Sequence, residues 1–144
     1  MTAAPPSNFG PKHPPTAVPD PLIQEAVGRH APTGELPCAV AFQIAAGLGV
    51  APAAVGQTLD LMGVRLVKCQ LGLFGYSPQK RIVTPRPPET PELAAAIQAA
   101  LEKGRLPCRA TWALAERFNL RKMAVSGACE ALGIKIKPCQ LGAF

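Results

Sequence analysis

The chain is poor in the groups that usually carry catalysis and anchoring. It has one Trp, one Tyr and two His in 144 residues, and only 17% of its residues are charged. No apolar run approaches the roughly 20 residues that a membrane span needs. The first ten residues, with neither a basic start nor an apolar stretch, do not read as a secretory signal. A cytoplasmic protein with no membrane association is therefore expected. Its five cysteines are then expected to be reduced thiols or ligands, not a disulfide framework. The nine acids are scattered, both histidines lie within residues 1–30, and there is no phosphate loop and no Cys-x-x-Cys. Gly47-x-Gly49 reads as a helix end, not a nucleotide fingerprint. No catalytic constellation remains, so a non-enzyme is expected. The length excludes a barrel enzyme or a full doubly wound nucleotide-binding fold and suits one ordinary domain or two very small ones.

What the chain has in abundance is proline, at 17 residues. Six prolines fall within residues 1–20, which predicts an extended arm, because proline fixes φ and removes a backbone donor. Thr84-Pro-Arg-Pro-Pro-Glu-Thr-Pro91 reads as a stiff linker over 84–90.

The strongest signal is a duplication. Gly34-Glu-Leu-Pro-Cys38 recurs as Gly104-Arg-Leu-Pro-Cys108, and Cys69-Gln-Leu-Gly-Leu-Phe74 recurs as Cys139-Gln-Leu-Gly-Ala-Phe144. Both recur 70 residues later, so 34–74 aligns on 104–144 without a gap. Upstream, Pro21, Ile23 and Val27 match Pro91, Leu93 and Ile97. The expected organisation is an arm at 1–20, one repeat at 21–83, the linker at 84–90 and a second repeat at 91–144.

Each repeat reads alike. A first helix is expected over about 20–30 or 91–102, with apolar residues at i, i+4. Pro37 or Pro107 suits the first turn of a second helix, which carries Phe42, Ile44, Ala45 and Leu48, or Trp112, Leu114, Ala115 and Phe118. Gly49 or Asn119 stops that helix. A third helix is expected over about 52–62 or 121–132, ended by Gly63 or Gly133. A strand follows at Val64–Lys68 or Ile134–Lys137. In the first copy Lys80–Val83 is the expected return strand of a hairpin, which the second copy lacks.

This order, with Ala41–Val55 and Ala110–Val125 at its centre, resembles the winged helix-turn-helix family. The matching cues are the small Ala45, the turn at Gly49, the following Val50 and the apolar Val55. The resemblance implies a mainly α fold with short β-hairpins, arranged as two tandem units, the second with a truncated wing. It also implies that a third helix enters the DNA major groove while the wing touches backbone. The third helix of copy one has no Lys or Arg, and only Gln57 and Thr58 suit base edges. Copy two offers Arg117, Arg121, Lys122 and Ser126, so it is the expected DNA reader. Arg65, Lys68, Lys80 and Arg81 of the first hairpin are the expected backbone contacts. Net charge agrees with this, at −2 over 1–60, +5 over 61–88, −3 over 89–102 and +6 over 103–144. A DNA-binding transcriptional regulator is one reading. A basic surface without a nucleic-acid role, on an accessory or scaffolding subunit that binds protein through the repeats and the arm, is the other; a homodimer is compatible with both.

The cysteines repeat as a pair, Cys38 with Cys69 and Cys108 with Cys139, while Cys129 stands where copy one has Leu59. Packing residues, a redox pair in each unit, and a zinc or iron–sulfur site built from these four thiols are the competing readings. Two thiols are half of the usual ligand set, so no cofactor is the simplest expectation. His13 and His30 have no counterparts in copy two and read as solvated or capping residues. Phe74 and Phe144 read as anchors of a shaped turn or a partner contact.

Overall fold

The computed structural model describes residues 13, 14 and 16–143. Most of the arm, together with Phe144, therefore lies outside the described residues. Among these residues six helices and one two-stranded sheet form. In chain order they are α1 (Pro21–His30), β1 (Glu35–Pro37), α2 (Cys38–Leu48), α3 (Pro52–Met62), β2 (Arg65–Val67), α4 (Pro91–Ala100), α5 (Cys108–Arg117) and α6 (Lys122–Leu132). The starts of α4, α5 and α6 fall 70 residues after those of α1, α2 and α3, as the duplication requires.

Local chemistry explains the boundaries. The Asp20 carboxylate accepts the N–H groups of Leu22 and Ile23 at 2.9 and 3.2 Å, and Pro21 opens α1 with its φ already helical. Thr90 does the same for α4 by accepting Leu93 N–H at 3.2 Å, ahead of Pro91. Gly49, Gly63 and Gly133 close their helices at φ 66°, 71° and 70°, a left-handed conformation that side chains disfavour. Asn119 takes φ 55° two residues beyond α5. Pro37 and Pro107 are N-cap residues in extended conformation, one position earlier than a place in the first turn. The three-residue connection from Gly49 to Ala51 leaves α2 and α3 bent by 119°.

The sheet differs from the hairpin expected. β2 pairs with β1, and the pairing is parallel, with Leu36 opposite Leu66 and Pro37 opposite Val67. The α2–α3 pair supplies the crossover that a parallel pairing needs. In the second copy a single parallel bridge, Leu106 to Ile136, holds the same place 70 residues on. Lys80–Val83 does not pair with β2: Lys80 makes a single antiparallel bridge to Tyr76, and Ile82 and Val83 donate to the one carbonyl of Gly72, at 2.8 and 3.1 Å. The reason lies just after β2. Lys68 sits at φ 53° and breaks the strand, and Gly72 and Gly75 at φ 76° and 81° turn the chain away.

The chain forms two compact units. One holds α1 to α3 with β1 and β2, and includes Leu141–Ala143; the other runs from Gln70 to Gln140. Each unit is thus completed by the Leu-Gly segment of the other repeat. The first unit buries Ile23, Val27, Leu36, Val55, Leu59 and Leu141. The core of the second is Leu93, Ile97, Leu106, Leu114, Ala115, Val125, Ala128 and Cys129, with Phe118, Ile134 and Ile136 packed against it. Among the described residues no single helix is long and apolar enough to cross a membrane.

Candidate functional site

The third helix of each repeat was the expected reading element, so its faces decide what it can touch. On α6, Val125, Ala128 and Cys129 face the core. Met123, Ser126, Gly127 and Glu130 recur at i, i+3, i+4 and i+7 and share another face. That face is occupied by residues 71–86 of the same unit. The Ser126 hydroxyl donates to the Leu71 carbonyl at 2.8 Å and lies fully buried. A β-carbon on Gly72 would lie 2.9 Å from the Met123 sulfur. Gly127 accepts Arg86 N–H at 3.0 Å, and a β-carbon there would stand 2.7 Å from Thr84 O. Glu130 pairs with Arg81. Ser126 is therefore a docking residue for Leu71 and not a reader of base edges.

The first unit repeats the device with different chemistry. Gly56 stands at the place of Ser126, and a β-carbon there would overlap the Leu141 carbonyl oxygen. Asp60, the counterpart of Glu130, is bound by His13 Nε2 at 2.8 Å. Thr58 is buried and donates its hydroxyl to Ala54 O at 3.1 Å, so it too is withdrawn from any base edge, while Gln57 is half-buried. His13 is a half-buried hydrogen-bond partner of Asp60, not a solvated side chain, and His30 is exposed in the last turn of α1.

Three of the expected cations do gather in the second unit, at the corner where α5 gives way to α6. Arg121 is the exposed N-cap of α6 and makes no capping bond. Lys122 follows it and holds its ammonium 4.5 Å over the Trp112 ring. Arg117, the last residue of α5, lies 5.2 Å over the Phe118 ring. Arg121, Lys122, Trp112, Ala115, Glu116 and Leu120 line a half-open cleft of about 330 Å³. The corresponding residues of copy one are Ala51, Pro52, Phe42, Ala45, Ala46 and Val50, without a charge among them. Arg121 and Lys122 outweigh the one carboxylate, Glu116, and the positive end of the α6 dipole adds to them, which favours an anion there.

The other four expected contacts divide between the two compact units. Arg65 and Lys68 are exposed at β2 in the first unit. Lys80 and Arg81 are exposed in the second unit, and Arg81 is engaged by Glu130.

The paired cysteines occupy equivalent sites. Cys38 and Cys108 open α2 and α5, and none of the five cysteines is in a disulfide. Cys108 N–H donates to Pro138 O at 3.0 Å, and Gln140 Nε2 donates to Cys108 Sγ at 3.5 Å. Cys129 lies wholly inside the core, where burial, with a smaller contribution from the neighbouring Glu130 carboxylate, pushes its thiol up to about 11. Among the described residues no group of three or more His, Cys, Asp or Glu is placed to hold a metal ion. No known family model, curated protein or solved structure matches the chain.

The aromatic–cation cleft and the covered face of α6 were both missed by sequence reasoning. The trace of the second was the adjacent small residues Ser126 and Gly127 in α6, with Gly56 at the matching place in α3.

Proposed function

We propose that the protein is a non-catalytic DNA-binding regulator built from two helix-turn-helix units with a much reduced wing, and that its second unit grips the phosphate backbone. The observation that carries this reading is the pairing of Arg121 and Lys122 at the uncapped start of α6, beside Arg117, with no cation at the matching corner of copy one. The 119° bend between α2 and α3 supports it, since helix-turn-helix pairs cross at about 90–120°. Ser126 and Thr58 are buried, so phosphate contacts dominate and base discrimination by the middle of either third helix is weak.

The test is binding of a labelled duplex at several salt concentrations. Three phosphate contacts give a slope of log K against log salt of about −2.7. Arg121→Ala/Lys122→Ala lowers affinity on all sequences alike and makes that slope shallower by about 2. Absence of binding by the wild-type chain at low salt overturns the reading.

One observation favours the accessory-subunit reading. The first unit has a third helix without Lys or Arg and leaves Val18, Leu22 and Leu48 exposed at 76%, 66% and 38%. A stoichiometric protein partner recovered on native purification, with no duplex binding, selects it.

A further inference from the structure

We propose that Cys108 and Cys139 form a reversible thiol–disulfide pair in the second unit, oxidised by a small disulfide such as oxidised glutathione. The proposal is independent of the nucleic-acid reading.

The placement carries it. The residues on both sides of Cys139 touch Cys108: Pro138 accepts the Cys108 backbone N–H at 3.0 Å, and Gln140 donates its side-chain amide to Cys108 Sγ at 3.5 Å. A disulfide spans Cα atoms about 4.4–6.8 Å apart. A chain bonded to Cys108 from either flank of Cys139 is held in that neighbourhood. The two thiols also differ in access. Cys108 is 7% exposed, whereas Cys139 is only half-buried. Cys108 opens α5, and the Gln140 amide donates to its sulfur from the residue next to Cys139. The pair therefore divides the labour of thiol exchange.

The chemistry balances as two exchanges. The Cys139 thiolate attacks one sulfur of oxidised glutathione, the glutathione S–S bond breaks, and a glutathione thiolate leaves and takes up a proton. The Cys108 thiolate then attacks Cys139 Sγ in the mixed disulfide. The Cys108–Cys139 bond forms and the second glutathione leaves. Two cysteine thiols are oxidised and one glutathione disulfide is reduced to two thiols.

The same two segments meet in the first unit, where Pro37, just before Cys38, stands opposite Val67, two residues before Cys69. Cys38 and Cys69 are 6% and 4% exposed, so neither offers the reachable first thiol that Cys139 provides. Cys129, fully buried and with its thiol pushed up to about 11, serves as an internal control.

The experiment uses the full chain. It is equilibrated with mixtures of oxidised and reduced glutathione near pH 8, quenched, alkylated, digested with trypsin and read by mass spectrometry. The expected product joins peptide Leu106–Arg109 to peptide Ile136–Phe144, two mass units below their sum, and dithiothreitol reverses it. In Cys129→Ala the product forms as before. In Gln140→Ala, which keeps both thiols, it forms several-fold more slowly. Cys139 carrying glutathione without the cross-link, or joined to Cys38 or Cys69, overturns the proposal, as does an unoxidised chain.

Discussion

Residues 56 and 126 solve one packing problem in two ways. A backbone carbonyl is pressed against the middle of each third helix, from Leu141 on α3 and from Leu71 on α6. Copy one removes the side chain at Gly56, and copy two supplies the Ser126 hydroxyl as donor. The two substitutions have different expected costs. Ser126→Ala takes a donor from a buried carbonyl and costs about 1–3 kcal/mol. Gly56→Ala sets a β-carbon into the Leu141 backbone carbonyl, which no rotamer change relieves. It should destabilise at least as much, by about 1–3 kcal/mol of overpacking, read as a lower urea midpoint. An unchanged midpoint in Gly56→Ala would show that the Leu141 carbonyl does not rest on α3. Cys129 gives a second residue-level expectation. Its thiol is raised from 9.0 to about 11, so folding favours the protonated form. That contribution is complete below pH 9 and is lost as pH rises through about 11. Stability measured by urea unfolding should therefore fall over this window. Cys129→Ala should flatten the fall, at the cost of a small cavity visible at pH 8.

At the scale of elements, what was legible follows the range of the signal. Asp20-Pro21 and Thr90-Pro91 start helices through bonds that span two or three residues, and Gly49, Gly63 and Gly133 stop them at their own φ. Such features need no tertiary context. The partner of β2 does: three alternating residues pair as readily with a segment before them as after them. The left-handed Lys68 that ends the strand bears no glycine to announce it. The candidate site divides in the same way. Arg121 and Lys122 were readable as charge at a helix start. The burial of Ser126 was not, because it depends on residues 71–86 arriving from 40 or more positions away. Local caps make a local prediction. Asp20→Ala should cost about 0.5–2 kcal/mol. Hydrogen exchange should rise first at Leu22 and Ile23, whose N–H groups the carboxylate holds. Uniform acceleration across the first unit, with no excess at those two amides, would argue that the cap is not what fixes the start of α1.

At the scale of the molecule, the duplication did not yield two self-contained copies. The first compact unit takes Leu141–Ala143 from the second repeat, and the second takes Leu71 and its neighbours from the first. Leu71 and Leu141 are 1% and 2% exposed, as buried as any core leucine, and each is followed by a glycine at φ 76° or 79°. The repeated Gln-Leu-Gly-x-Phe is therefore a plug, and its buried leucine is the anchor. Truncating a buried leucine to alanine costs about 2–5 kcal/mol. The exchange fixes where that cost should appear. Leu71→Ala, a change in the first repeat, should accelerate hydrogen exchange in α4, α5 and α6. Leu141→Ala, a change in the second repeat, should accelerate it in α1, α2 and α3. If each substitution loosened the helices of its own repeat instead, the plugs would belong to their own copies and the exchanged arrangement would be wrong. Acceleration in the crossed pattern would mean that neither repeat is stable as a separate fragment, because each lacks the leucine that completes its core.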